Sequence, residues 1–278
     1  MREGDAEGAS LPVVPKDAST VILVRDGVDG PEVFLQRRVQ GMAFAAGMTV
    51  FPGGGVDPTD AQAEIGWAGP GPAWWGERFA VTPERAQALV CAAVRETFEE
   101  CGVLLAGPTA DTVVSDTVAY RAAREQLERR EFSLGEFLAR ERLMLRADLL
   151  RPWANWITPL VEPRRYDTRF FVAVLPDGQH ADGATSEAHE VAWRTPAQAL
   201  DRWRAGIDVL LPPTWSQLTA LGEFASTAAV LAAAPPLDPI QPDLIVVDGT
   251  KRLRFPNYTR YLAELPDGSR LRGSRRAD

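Results

Sequence analysis

Arg95-Glu96-Thr97-Phe98-Glu99-Glu100-Cys101-Gly102-Val103 is the stretch from which the fold is read. On a helix, Glu96, Glu99 and Glu100 fall at i, i+3 and i+4 and share one face. Three carboxylates that close repel one another, so the arrangement suits a site where cations neutralise them. Their hard oxygens match Mg²⁺ or Mn²⁺, which take carboxylates, waters and substrate phosphates. Arg95, four residues before Glu99, is placed to hold one carboxylate in a fixed orientation. A glutamate pair alone is in most chains a solvated helix face, so the neighbouring sequence has to decide.

Upstream of the acids, Thr82-Pro83-Glu84 has the form of a helix start: a capping residue, proline at the first position, then an acid. The helix should run from Pro83 to Cys101, with Gly102 ending it. Further upstream, Gly47 to Gly55 reads as a strand entering the loop Phe51-Pro52-Gly53-Gly54-Gly55. Glycines there let the backbone come close to a metal or a phosphate, Gly54 among them. A glycine run alone is usually a turn. Joined to the capped acidic helix, it forms one side of a cradle for a metal-bound diphosphate, in which metals polarise the phosphoryl group and activate water.

These residues resemble the Nudix box: Gly, five residues, Glu, seven residues, then Arg-Glu-apolar-x-Glu-Glu-x-Gly-apolar. The match covers Gly54 and Arg95 to Val103. The resemblance implies an α/β Nudix fold, an α/β/α sandwich with a mixed β-sheet, and a diphosphatase that needs Mg²⁺ or Mn²⁺. It implies metal binding by Glu96, Glu99, Glu100 and the Gly53 carbonyl, with Arg95 in the catalytic set. Three departures stand out. The gap between Gly54 and Arg95 is long, which implies an insertion. The middle glutamate, counted back from Arg95, falls on Gln87. Thr97 stands where an apolar residue is usual.

A second resemblance, to the nudix motif 19 branch, covers most of residues 20 to 220. It rests on the insertion, on Trp153-Ala-Asn-Trp-Ile-Thr-Pro159, on Arg164-Arg-Tyr-Asp-Thr168 with Phe170-Phe171, and on Leu211-Pro-Pro213. It implies coenzyme A or acyl-coenzyme A as substrate, cut to a phosphopantetheine and 3',5'-ADP. Arg38 and Gly47 fit the spacing of the coenzyme A signature, whereas Val39 and Ala43 depart from it.

The rest of the chain is expected to follow as one domain over 18–265. It lies between a flexible leader, 1–17, and a flexible tail, 266–278, with insertions at about 56–82 and 110–148. Thr20–Val24 and Pro31–Arg38 read as paired strands. Residues 56–82, rich in Gly, Pro and Trp, read as a loop held by Trp67, Trp74 and Trp75. Helices are expected near 112–130 and 133–143, and again from Thr195 and Pro213. Strands are expected at 156–158, 169–175 and 190–193, and a last hairpin at 243–255 turning at Asp248-Gly249.

Composition narrows the function classes. The 278 residues carry a formal net charge of -8, which argues against non-specific binding to a nucleic-acid backbone. Cys91 and Cys101 lie ten apart on one expected helix, so a disulfide framework is not expected and a reducing cytoplasm is the simplest setting. No run has the length and apolarity of a membrane span. The expected partner is a small nucleotide diphosphate, not a membrane or a nucleic acid, and whether the chain forms a homodimer stays open.

Several side residues have two readings each. Arg38 would hold a substrate phosphate, or face solvent from a strand. Arg164 and Arg165 would bind phosphate at the cleft mouth, or form an Arg-rich turn paired with Asp167. Trp153 and Trp156 would stack on an adenine, or fill the core. Glu187 and Glu190 are the positional candidates for a general base, or ordinary loop acids. With only His180 and His189, a histidine metal site is not expected. The rival functions are an ADP-ribose or dinucleotide pyrophosphatase and a non-catalytic sensor of nucleotide metabolites.

Overall fold

The computed structural model describes residues 12–39, 46–62, 64–185, 188–247 and 249–266. Its centre is a mixed sheet in the order β10-β2-β1-β9-β8. The strands are β1 (Lys16–Gly27), β2 (Gly30–Arg38), β8 (Leu150–Ile157), β9 (Tyr166–Val174) and β10 (Ala188–Arg194). β1 and β9 run parallel, and the other neighbours in this order run antiparallel. Alternation along β1 decides both faces. Val21 and Leu23 enter one buried cluster, and Ile22 and Val24 enter the other.

The Val21 face is covered by α2 (Pro72–Phe79) and α3 (Pro83–Cys101), and the Ile22 face by α6 (Pro196–Arg204) and α7 (Pro212–Leu221). Helices α8 (Thr227–Ala232) and α9 (Tyr258–Glu264) add Val230 and Tyr261 to the second cluster. The expected α/β/α sandwich with a mixed sheet is therefore the observed architecture.

One end of the sheet is split, and the split builds the site. Strand β3 (Thr49–Val50) pairs with β2, while β4 (Gly53–Gly55) pairs with β1. The chain thus crosses between the two strands at Phe51-Pro52, where Val21 N–H donates to the Pro52 carbonyl at 2.9 Å. This wedge holds the glycine run against the sheet rather than leaving it as a free loop.

Residues 56–82, expected as a loop, contain α1 (Pro58–Gln62), β5 (Gly66–Ala68) and α2. Helices α4 (Arg121–Glu128) and α5 (Leu134–Glu141) account for the expected helical stretch, with Ser133 and Glu136 forming a reciprocal cap on α5. Strands β6 (Ala106–Gly107) and β7 (Met144–Arg146) flank those helices, and β7 also pairs with β5. The two inserted segments therefore share a small sheet of their own. Strand β1 begins at Lys16, inside the expected leader, and residues 1–11 of that leader lie outside the described residues. Strands β11 (Asp243–Val247) and β12 (Thr250–Arg254) form the expected last hairpin; Asp248 of its turn, and residues 267–278, lie outside the described residues.

Candidate active site

Helix α3 places the three glutamates, and its ends are as its sequence dictates. Thr82 accepts from Arg85 N–H at the start, and Gly102 closes the helix in the left-handed region at φ 72°. Thr97, the departure from the usual apolar position, is fully buried and turns its hydroxyl back to the Ala93 carbonyl at 2.7 Å. That bond satisfies the hydroxyl inside the helix.

Glu96, Glu99 and Glu100 lie against the glycine strand, not in bulk solvent. Their side chains are 12%, 13% and 5% exposed, which makes a concentrated negative face. Oε2 of Glu100 accepts from Gly53 N–H at 2.7 Å and from Gln36 Nε2 at 2.5 Å. Glu96 lies so close to Gly54 that a Cβ there would stand 2.5 Å from its Oε1. A Cβ on Gly53 would stand 2.4 Å from the Ser19 carbonyl oxygen. A side chain at Gly53 would run into backbone, and one at Gly54 would displace the Glu96 carboxylate.

Arg95 is the hub of the cluster. Its Nη1 reaches Glu96 at 2.8 Å and Glu99 at 3.3 Å, and its Nη2 donates to the Gly55 carbonyl at 2.9 Å. Asp60 on α1 takes Nε and Nη2 at 3.1 and 3.0 Å. Asp60 was not anticipated from the sequence, although a signal was present. Counting forward from Gly54, five residues intervene before Asp60, the spacing of the Gly-to-Glu half of the box. The insertion falls after this acid, so counting back from Arg95 to Gln87 crosses it and misses.

The electrostatics follow from burial. Burial raises Glu99, Arg95 opposes that, and Glu96 and Asp60 add repulsion, so its carboxyl is pushed up to about 7. Burial also lifts Asp60 above its ordinary value, against the pull of Arg95. Burial acts against the charge on Arg95, but Glu96, Asp60 and Glu99 together hold it above its ordinary value.

Four carboxylates thus face Arg95 and Arg38, whose Nη1 is 4.0 Å from Glu100 Oε1. The centre has hard oxygen donors and a deficit of positive charge, which fits a divalent cation. Among the described residues no three acids, histidines or cysteines converge on a common point as a ready metal cage. Arg95 holds Glu96 and Glu99, and Gly53 and Gln36 hold Glu100, so the negative groups are distributed around the cleft.

The other anticipated residues divide. Arg38 shares the sheet face of the glutamates. Glu190 does not: its register partner is Arg37, and it pairs with Arg37 at 3.8 Å and Arg194 at 3.3 Å. Arg37 in turn meets Asp208, on the far side of the sheet from Glu100. A bulge between Ala188 and Glu190 sets this orientation, and a sequence cannot announce it. Glu187 and Ala43 lie outside the described residues.

Trp153 and Trp156 are core residues on the face opposite the glutamates, each 3% exposed, against Phe224 and Phe255 respectively. Arg165 is buried and donates to the carbonyls of Thr158 and Val13 and to Gln241 Oε1, so it braces chain segments rather than a cleft mouth. Arg164 is exposed. His180 and His189 are exposed.

An acidic capped helix set against a glycine wedge in a mixed sheet is the arrangement of a Nudix domain. The family model described as NUDT19 Nudix domain matches residues 77–221, and the chain belongs to that family. It is 27% identical over 232 residues to the acyl-coenzyme A diphosphatase NUDT19 of Xenopus laevis, covering 70% of this chain and 60% of that protein. It is 30% identical over 200 residues to the putative nudix hydrolase 7 of Caenorhabditis elegans, covering 69% of this chain and 56% of that protein. The chain spans about six tenths of the length of these curated relatives. A crystal structure of a NUDIX hydrolase from Alicyclobacillus acidocaldarius shares the fold at a TM-score of 0.69 and 28% identity, covering 80% of this chain and 98% of that one.

Proposed function

We propose that the chain is a Nudix diphosphatase that hydrolyses coenzyme A or an acyl-coenzyme A to a phosphopantetheine and 3',5'-ADP with Mg²⁺ or Mn²⁺. The observation that carries the reading is the contact of Glu96 and Glu100 with the Gly53–Gly54 strand, where a Cβ on Gly54 would meet Glu96 at 2.5 Å. Glycine backbone and acidic helix face share one cleft. The substrate class is supported by the acyl-coenzyme A diphosphatase among the relatives and by Arg38, which brings a guanidinium to the edge of the acidic face.

Glu96, Glu99, Glu100 and the Gly53 backbone would hold the metal, which supplies charge neutralisation and an activated water. The chain's own residues do the rest. Arg95, fixed by Asp60 and Gly55, keeps Glu96 and Glu99 turned toward the cleft. Arg38 offers its guanidinium to a phosphate. With Glu190 on the far face, Glu187 is the remaining positional candidate for the general base. Mg²⁺ or Mn²⁺ serves as cofactor, and a reducing cytoplasm suits the two buried, unpaired cysteines. No helix among the described residues is long and apolar enough to cross a membrane.

The test incubates the purified protein and Mg²⁺ or Mn²⁺ with coenzyme A, ADP-ribose, NADH and diadenosine polyphosphates. Release of 3',5'-ADP from coenzyme A, with little turnover of the others, is the expected result. Turnover of ADP-ribose in its place would overturn the substrate. Tight binding without turnover would overturn the reaction.

A further inference from the structure

Gln36 is a buried polar residue, 1% exposed, following Phe34 and Leu35 on β2, which are equally buried. Burying an amide is costly unless its hydrogen bonds are replaced. Here they are replaced only in part. Nε2 donates to Glu100 Oε2 at 2.5 Å, while the buried Oε1 accepts no hydrogen bond from the described residues. Reversing the amide would set its oxygen against a carboxylate oxygen, so the orientation is fixed by charge. An apolar residue of the same volume would fill this place with no unmet polar atom. The amide is therefore explained by what it touches.

What it touches is one oxygen of Glu100, and that same oxygen also takes Gly53 N–H at 2.7 Å. The two donors arrive from different strands, β2 and β4, on either side of the split in the sheet. We propose that Gln36 is the positioning residue for Glu100: with Gly53 N–H it saturates Oε2 and so fixes which part of the carboxylate faces a divalent cation. This rests on the metal-dependent reading above and adds to it a residue outside the glutamate helix. The effect is that of an outer partner that orients a metal-binding side chain.

The test is metal binding without substrate. Gln36→Met keeps the volume and removes the donor, and Gln36→Leu does so with a stiffer side chain. Val191→Ala alters Gln36's register partner on β10 and leaves the donor intact. Mn²⁺ is titrated calorimetrically into each metal-free protein, and thermal midpoints are recorded alongside. The expected result is Mn²⁺ affinity weakened by about tenfold or more in both Gln36 variants. Their midpoints should stay close to the parent's, because the unmet amide oxygen is removed while Glu100 Oε2 loses one donor and keeps Gly53 N–H. Val191→Ala should lower its midpoint without changing affinity. Parent-like affinity in Gln36→Met and Gln36→Leu would overturn the positioning role while leaving the metal reading standing. Absence of Mn²⁺ binding by the parent itself would overturn both.

Discussion

Asp60 holds Arg95 by two bonds from outside the helix that carries it, Oδ1 to Nε at 3.1 Å and Oδ2 to Nη2 at 3.0 Å. Their side chains are 1% and 11% exposed, so neither charge has water to fall back on. Arg95 keeps Glu96, Glu99 and the Gly55 carbonyl when Asp60 loses its charge, so what is lost is a pair of buried charge-assisted hydrogen bonds. Asp60→Asn should lower unfolding stability by about 2 kcal/mol. It should also release Arg95 from its fixed position beside Glu96 and Glu99, lowering turnover. Urea denaturation and a coenzyme A assay on the same preparation check both; a stability change under about 1 kcal/mol would deny the pair its structural role.

The two glycines of the wedge should respond differently to the same change. On Gly54, an added Cβ meets the far end of the Glu96 side chain, which can swing away. Gly54→Ala should fold with a cost under about 1 kcal/mol, yet lose roughly 100-fold in turnover because Glu96 is displaced. On Gly53, the Cβ would meet the Ser19 carbonyl, which is backbone and paired in the sheet. Gly53→Ala should therefore lose stability as well as activity. Equal thermal midpoints for the two variants would contradict this division.

What could be read in advance follows from whether a signal is local. The span of α3 was legible because Thr82, Pro83 and Gly102 each act on their own backbone. The two-faced sheet was partly legible, since Val21 to Val24 are all apolar and a strand buried on both sides needs that. Asp60 was hidden by an insertion that breaks the count on one side only. Glu190 was hidden by a bulge that sets which face it takes. Trp153 and Trp156 look alike as stacking or packing residues until the helix layer covering them is known.

Glu99 carries a pH dependence whose sign can be stated. Its folded value, about 7, lies above the ordinary 4.5. The protonated form is favoured in the folded protein, so the stabilisation is complete below 4.5 and is lost as pH rises through 7. Metal-free protein should become less stable between pH 5 and pH 8 by at most roughly 3 kcal/mol. Mn²⁺ needs the ionised carboxylate, so its binding should tighten over the same range and release protons near pH 6.5. Glu99→Gln should lose most of the activity while staying folded, and it should abolish this part of the stability profile. Denaturation curves at pH 5 and 8, with and without Mn²⁺, test the chain of reasoning; affinity that weakens as pH rises would break it.

The core positions of Trp153 and Arg165 separate binding from folding. Trp153 packs with Phe224 at 5.9 Å between ring centres, on the sheet face away from Glu100. Trp153→Leu should lower stability by about 3 kcal/mol through lost packing and leave KM for coenzyme A unchanged. Arg165 joins residues as distant as Val13 and Gln241, so Arg165→Met should loosen the start of β1 and lower the thermal midpoint, again with KM unchanged. Arg38→Met is the contrast: its guanidinium faces the acidic cluster, so KM should rise by about tenfold, the loss of one charge-assisted hydrogen bond. A rise in KM for Trp153→Leu or Arg165→Met equal to that for Arg38→Met would move the substrate to the opposite side of the sheet.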